Sequence, residues 1–208
     1  MEDKIITPGI PDSEFIRGNV PMTKEEVRAA SISKLRLEKN SVVYDIGSGT
    51  GSVSVEIARL SKDIKVFAVD LNPEAAELTK KNLEKFGLKN AEVVQGEAPS
   101  ALESLPFPTH AFIGGSGGNL IEILNVLKRK NPEIRIVLNA VTLESVSKID
   151  EIIKFYGLTD YEIVQFFITK TQKIGNHNLF KSNNPVVVFS FTFCESKKFR
   201  EKSGEENK

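Results

Sequence analysis

The segment VVYDIGSGTGSVSVEIA, residues 42–58, places Gly47, Gly49 and Gly51 at alternate positions directly after an apolar run ending in Asp45-Ile46. Glycines so spaced let backbone approach a ligand closely, and a helix beginning after the turn offers amides that lack partners. The chemistry this suits is the binding of a nucleotide cofactor. The dinucleotide fingerprint is GxGxxG, with a pyrophosphate against the helix start, whereas Ser52 stands here in the place of its third glycine. Asp45 adds a second objection, because a carboxylate beside the turn repels pyrophosphate but accepts a hydrogen bond from an ammonium group or an ordered water.

Asp70 ends the next apolar run, KVFAVD, where its carboxylate could receive both hydroxyls of an adenosine ribose. Either aspartate alone could equally be a loop cap. Gly96-Glu97-Ala98 follows the run AEVVQG; Glu97 could accept from an adenine amino group or be an ordinary exposed loop glutamate. The five residues 114–118, Gly-Gly-Ser-Gly-Gly, would permit close approach to the reactive end of a cofactor, or serve as a flexible connector.

These residues need a scaffold that brings successive loops to one edge. The near-continuous apolar run at 41–46 suits a parallel strand covered on both faces, and the same strand type is predicted at 65–70, 91–96, 109–115 and 133–140. Helices are predicted between them: 52–60, with Val53, Ile57 and Leu60 inward; 73–86, opened by Pro73 and ended by Gly87; 120–127; and 144–156, ended by Gly157. A further helix, 23–35, precedes the first strand, with Thr23 and Glu26 spaced as a capping box. This alternation predicts an α/β, doubly wound, Rossmann-like sheet of seven strands with right-handed crossovers. The runs at 161–169 and 184–193 have no helix between them and are expected to finish the sheet as an antiparallel pair, with TQKIGNHNLFKSN between them as a loop. Residues 1–22 read as an arm broken by Pro8, Pro11 and Pro21, residues 23–195 as one domain, and 196–208 as a polar tail.

The 208 residues carry 28 Lys and Arg against 28 Asp and Glu, which gives no overall electrostatic preference for nucleic acid or an anionic membrane. The opening MEDKIITPGIPDSE lacks the basic start and apolar run of a secretory signal, and no stretch has the length of a membrane span. Cys194 is the single cysteine and His110 and His177 the two histidines, so no metal-ligand cluster is expected. Cys194 is read as buried packing, His110 as structural, and the location as a reducing cytoplasm.

The glycine turn, the acid at the second strand end and the antiparallel finish resemble the class I S-adenosylmethionine-dependent methyltransferases over about residues 23–193. More narrowly, GIPDSEF at 9–15, PMTKEEVRA at 21–29, YDIGSGTGSVSVEIA at 44–58, DLNPEA at 70–75 and FIGGSGGNL at 112–120 look like the CbiT family. These are the decarboxylating cobalt-precorrin-6B C15-methyltransferases of cobalamin biosynthesis; the chain is also similar to the C-terminal half of the fused aerobic enzyme. The resemblance implies S-adenosylmethionine as cofactor, no protein-bound metal or pyridoxal phosphate, an anionic cobalt-tetrapyrrole (corrinoid) substrate, no nucleic acid or membrane partner, and a homotetramer.

It further implies a turn at 45–51 around the methionine part of the cofactor, Asp70 on ribose, and Glu97-Ala98 near adenine. The expected cofactor set is Thr23, Asp45, Gly47, Ser48, Gly49, Thr50, Gly51, Asp70, Leu71, Glu97, Ala98 and Gly114. For the acceptor, Gly115, Asn139 and Thr142 share the ligand edge of the sheet. Arg17, Arg28 and Lys173, with Lys24, Lys170 and His177 nearby, could form a basic rim for substrate carboxylates. No side chain stands out as a catalytic nucleophile. The competing readings are a tRNA adenine-N1 methyltransferase, another small-molecule methyltransferase, and a noncatalytic cofactor-binding module.

Overall fold

The computed structural model describes residues 6–193. Cys194 and the tail at 196–208 lie outside the described residues. Among the described residues, five α-helices, α1 (Glu25–Leu35), α2 (Ser52–Leu60), α3 (Pro73–Lys85), α4 (Leu120–Lys130) and α5 (Leu143–Tyr156), are interleaved with strands β1 (Val42–Ile46), β2 (Lys65–Asp70), β3 (Ala91–Gln95), β4 (His110–Ile113), β5 (Arg135–Ala140) and β6 (Tyr161–Phe166). Strands β7 (Thr169–Ile174), β8 (His177–Ser182) and β9 (Val186–Thr192) follow.

Seven strands form one sheet in the order β3-β2-β1-β4-β5-β9-β6. β1 to β5 are parallel, and β9 runs antiparallel to both β5 and β6, as the sequence predicts. The near-continuous apolar strands follow from coverage of both sheet faces. On one face Tyr44, Ile46, Phe67 and Val69 pack with Ile123, Leu124 and Leu127 of α4 and Ile149 and Ile152 of α5. On the other, Val43, Val66, Phe112 and Val137 pack with Val27, Ile32 and Leu35 of α1 and Val53 and Ile57 of α2.

The chain reverses at the top edge because each connector is chemically suited to do so. Asn72 caps α3 by accepting from the Glu74 N–H, and Pro73 supplies its first turn. Thr142 and Ser145 cap α5 reciprocally. The strand order places the switch point between β1 and β4, where connections leave to opposite sides and a crevice opens.

Two expectations are corrected. TQKIGNHNLFKSN is largely a β-hairpin: β7 and β8 pair antiparallel in a separate two-stranded sheet, and the predicted strand at 161–169 ends at Phe166. All residues of β7 and β8 are exposed, so no alternating burial marked them. The legible signal was Gly175-Asn176, a two-residue hairpin connection with Gly175 at φ +59°.

The Thr23 capping box also does not form. α1 starts at Glu25 with Lys24 as its cap residue and no side-chain cap, and Glu26 instead pairs with Lys170 at 2.5 Å. The backbone at 23 is held elsewhere, because its carbonyl accepts from Arg28 Nη1 at 2.6 Å.

The arm is irregular but fixed. Ile10 and Phe15 are buried with Val55 and Leu83, which leaves α2 buried nearly all round. Burying each such side chain contributes about 2 kcal/mol. Asn82 clasps the arm further along, accepting from the Ile16 N–H and donating to the Ile16 carbonyl.

Candidate functional site

The C-terminal ends of β1, β2 and β4 open onto a cavity of about 540 Å³. Of the predicted cofactor residues, Gly47, Gly49, Asp70, Leu71, Glu97, Ala98 and Gly114 line it, together with Gly115. Residues far apart in sequence therefore meet at one edge because parallel strands deliver their carboxyl ends side by side.

Asp70 is the hinge of this wall. One carboxylate oxygen accepts from the Gly49 N–H at 2.9 Å and the other from the Asn72 N–H at 2.9 Å. It thus ties the glycine turn to the loop after β2. A carboxylate has about four acceptor positions, so two remain for ligand hydroxyls. Loop-capping and ligand binding, posed as alternatives by the sequence, are compatible in this one group.

The turn is built of glycine for measurable reasons. Gly47 has φ +72°, and a Cβ there would lie 2.7 Å from both the N and O of Gly115. Gly49 has φ +57°, and its Cβ would lie 2.6 Å from the Pro21 carbonyl oxygen. The Gly47→Ala variant is expected to lose about 2 kcal/mol or more of stability, because a left-handed residue and a backbone collision add, and to bind no cofactor. Urea unfolding and titration calorimetry would check this. Gly87, at φ +66° with nothing near its Cβ, supplies the control: Gly87→Ala should show only the conformational part.

Ser48, Thr50 and Gly51, also expected at the cofactor, do not line this cavity and support the turn. Ser48 Oγ lies 3.3 Å from Thr79 Oγ1, Thr50 is buried, and Gly51 begins α2 against Thr79. Inward-facing small side chains let the turn sit tightly on α3. Thr23 also moves: it lines a second cavity instead.

Asp45 is fully buried behind the turn. Its Oδ2 accepts from the Ser54 hydroxyl at 2.5 Å, while Oδ1 has no hydrogen-bond partner among the described residues. Burial pushes its pKa up to about 7, against the lowering effect of the Ser54 hydroxyl and backbone N–H. An unpartnered buried carboxylate oxygen under a glycine turn fits a ligand that brings an amine or a cation, and does not fit pyrophosphate.

The second cavity, about 500 Å³, is lined by Pro21, Met22, Thr23, Lys24, Gly114, Asn139, Ile168 and residues 182–184, among others. Pro21 and Gly114 line both cavities. Asn139 accepts from the buried Ser31 hydroxyl at 3.0 Å through Oδ1, which leaves its amide donors for the cavity. Asn183 and Asn184 add two further amides.

The expected basic rim does not converge. Arg28 is completely buried and paired with Glu56 and Asp12. Arg17, Lys173 and His177 are exposed and line neither cavity; Lys173 and His177 stand on the hairpin. Lys170 is paired with Glu25 and Glu26, while Lys24, which lines the second cavity, lies 3.8 Å from Asp12 Oδ2. Thr142 caps α5 through its hydroxyl and lines neither cavity.

The sequence missed Val20, Pro21, Asn119 and 182–184. Asn119 donates to Glu97 Oε1 at 3.1 Å, which positions that carboxylate. One clue was available: Glu56 interrupts the apolar run SVSVEIA, and a charge there requires a buried partner.

Residues 14–193 match the model of a family described as the precorrin methyltransferase domain. A probable cobalt-precorrin-6B C(15)-methyltransferase (decarboxylating) of Pyrobaculum calidifontis is 43% identical over 187 residues, covering 88% of this chain and 95% of that one. A crystal structure of precorrin-6y C5,15-methyltransferase from Geobacter metallireducens is similar with TM-score 0.83 and 39% identity, covering 92% of this chain and 100% of that one. That of precorrin 8W decarboxylase from Methanobacterium thermoautotrophicum is similar with TM-score 0.80 and 36% identity, over 88% and 98%.

Proposed function

The chain belongs to the precorrin methyltransferase domain family, and from that premise we propose that it methylates carbon 15 of cobalt-precorrin-6B and removes the C12 acetate carboxyl as carbon dioxide. The observation that carries this reading is the pair of adjoining cavities that share Pro21 and Gly114. One cavity has the residues for a nucleoside, and the other has amides and a lysine suited to a polycarboxylate.

When bound, S-adenosylmethionine supplies an electrophilic sulfonium methyl. Asp70 would hold the ribose with its two remaining acceptor positions, Leu71 and Ala98 would pack the adenine, and Glu97, held by Asn119, would accept from its amino group. Asp45 favours the cationic end from beneath the turn. Gly114, which lines both cavities, lacks a side chain and would leave room there for an acceptor carbon to approach a bound methyl donor.

Lys24, Asn139, Asn183 and Asn184 hold substrate carboxylates in place of the arginine rim. Catalysis is then mostly alignment and exclusion of water, and the conjugated ring takes the electrons left by decarboxylation. The same reading includes a cytoplasmic homotetramer. Exposed Ile174, Leu179 and Phe180 on the hairpin are apolar surface that a second copy would cover.

The test is incubation with methyl-labelled S-adenosylmethionine and cobalt-precorrin-6B, followed by mass analysis of the tetrapyrrole. A gain of one labelled methyl together with loss of carbon dioxide is expected. Intact protein and substrate yielding a product without either change would sink the two-reaction assignment.

A further inference from the structure

We propose that Arg28 is a positioning residue for methyl transfer: its buried guanidinium clamps the amino-terminal arm that completes both cavities. The proposal rests on the two-cavity reading above and assigns a role to a residue that touches neither cavity.

The guanidinium is fully buried, and its donors leave in three directions. Nε donates to Glu56 Oε1 at 2.7 Å on α2. Nη1 donates to Asp12 Oδ1 at 3.1 Å and to the Thr23 carbonyl at 2.6 Å, and Nη2 donates to the Ile10 carbonyl. Its carbon lies 4.7 Å over the Phe15 ring. Glu56 completes the clamp by accepting from the Gly9 N–H at 2.8 Å and the Ile10 N–H at 2.9 Å, while Asp12 accepts from the Glu25 N–H at 3.0 Å.

One planar cation thus holds the arm near residue 10 and again at residue 23. The length between those two ties is what reaches the cavities. Val20 and Pro21 line the cofactor cavity, and Pro21, Met22, Thr23 and Lys24 line the acceptor cavity. The Pro21 carbonyl lies against Gly49, so a shift of the arm moves a wall of the glycine turn.

Stability alone is a weak reason for this arrangement. Buried ion pairs are frequently no more stabilising than apolar groups of similar volume, and apolar packing of Ile10 and Phe15 already attaches the arm. What the fork geometry adds is direction. Lysine places three rotatable donors at one point and cannot reproduce a planar, three-way fork.

The test uses the whole chain carrying Arg28→Lys or, separately, Asp12→Asn, which removes the carboxylate charge facing Arg28 Nη1 while leaving the Arg28–Glu56 pair. Amide hydrogen exchange is read over residues 9–24 and over β1 and β4, and S-adenosylmethionine affinity is read by calorimetry. In Arg28→Lys, exchange at 9–24 is expected to quicken while β1 and β4 keep their protection. Affinity should fall tenfold or more, and saturating cofactor should restore protection of the arm. Asp12→Asn should show the same pattern more weakly, and it carries the test if the lysine variant does not fold.

A loosened arm with unchanged cofactor affinity would overturn the proposal, since the arm would then be merely attached. Unchanged exchange at 9–24 in the folded variants would overturn it as well. A parent chain that binds no S-adenosylmethionine would overturn the reading of the cavity itself, and this proposal with it; affinity equal in parent and variants removes the role of Arg28 alone.

Discussion

Replacing Asp70 by alanine is expected to weaken S-adenosylmethionine binding by about 100-fold or more, through loss of two charge-assisted hydrogen bonds at roughly 1.5–3 kcal/mol each. The truncation also leaves the Gly49 and Asn72 N–H groups without their acceptor, so the glycine turn and the loop after β2 lose their tie. Asp70→Asn separates the two effects. Its amide oxygen can still accept from one of those N–H groups, but its amino group faces the other with a donor. It should therefore keep part of the turn and lose most of the ribose binding. Calorimetric titration of both variants, with unfolding curves alongside, checks this; near-parental affinity in Asp70→Ala would show that the carboxylate is only a loop cap.

A second large effect concerns Asp45 and pH. Its folded pKa is raised from 3.8 to about 7, chiefly by burial. Between those values the folded protein keeps a proton that the unfolded chain has released, so stability falls as pH rises from about 4 to about 7. Above pH 7 the full penalty applies, on the order of 4 kcal/mol. Asp45→Asn cannot ionise. It should be more stable than the parent at pH 8 by about 2–4 kcal/mol, with the advantage shrinking toward pH 5. Urea unfolding across that range tests the sign directly.

Cofactor binding should be coupled to the same group. A cation placed near Asp45 favours its ionised form, so the parent should bind S-adenosylmethionine more tightly as pH rises from 6 to 8 and release a proton on binding below pH 7. Titrations in buffers of different ionisation enthalpy would detect that proton. Equal heats in all buffers would place the cofactor's charge away from Asp45.

The legible parts of this protein are those set by chain geometry over short distances. The glycines at 47, 49 and 51, Asp70 at a strand end, and the alternation of apolar strands with helices were enough to place the ligand edge, because every parallel strand brings its carboxyl end to the same side. The β6–β9 pairing was legible for a similar reason, since two strand-like runs without a helix between them turn back on each other. The hairpin was hidden because its strands are exposed on both faces and so carry no burial period.

The sequence by itself determined the fold class, the cofactor turn and the acid opposite it. Only the tertiary structure decided which charges serve the site. Arg28 looked like a surface cation, yet folding buries it between α2 and the arm; Thr142 looked like a substrate contact, yet it caps a helix. A glycine's backbone freedom is intrinsic to the residue and survives in any context that needs it. A charged side chain has no such fixed meaning, because its role depends on partners and desolvation, which are settled only when distant segments converge.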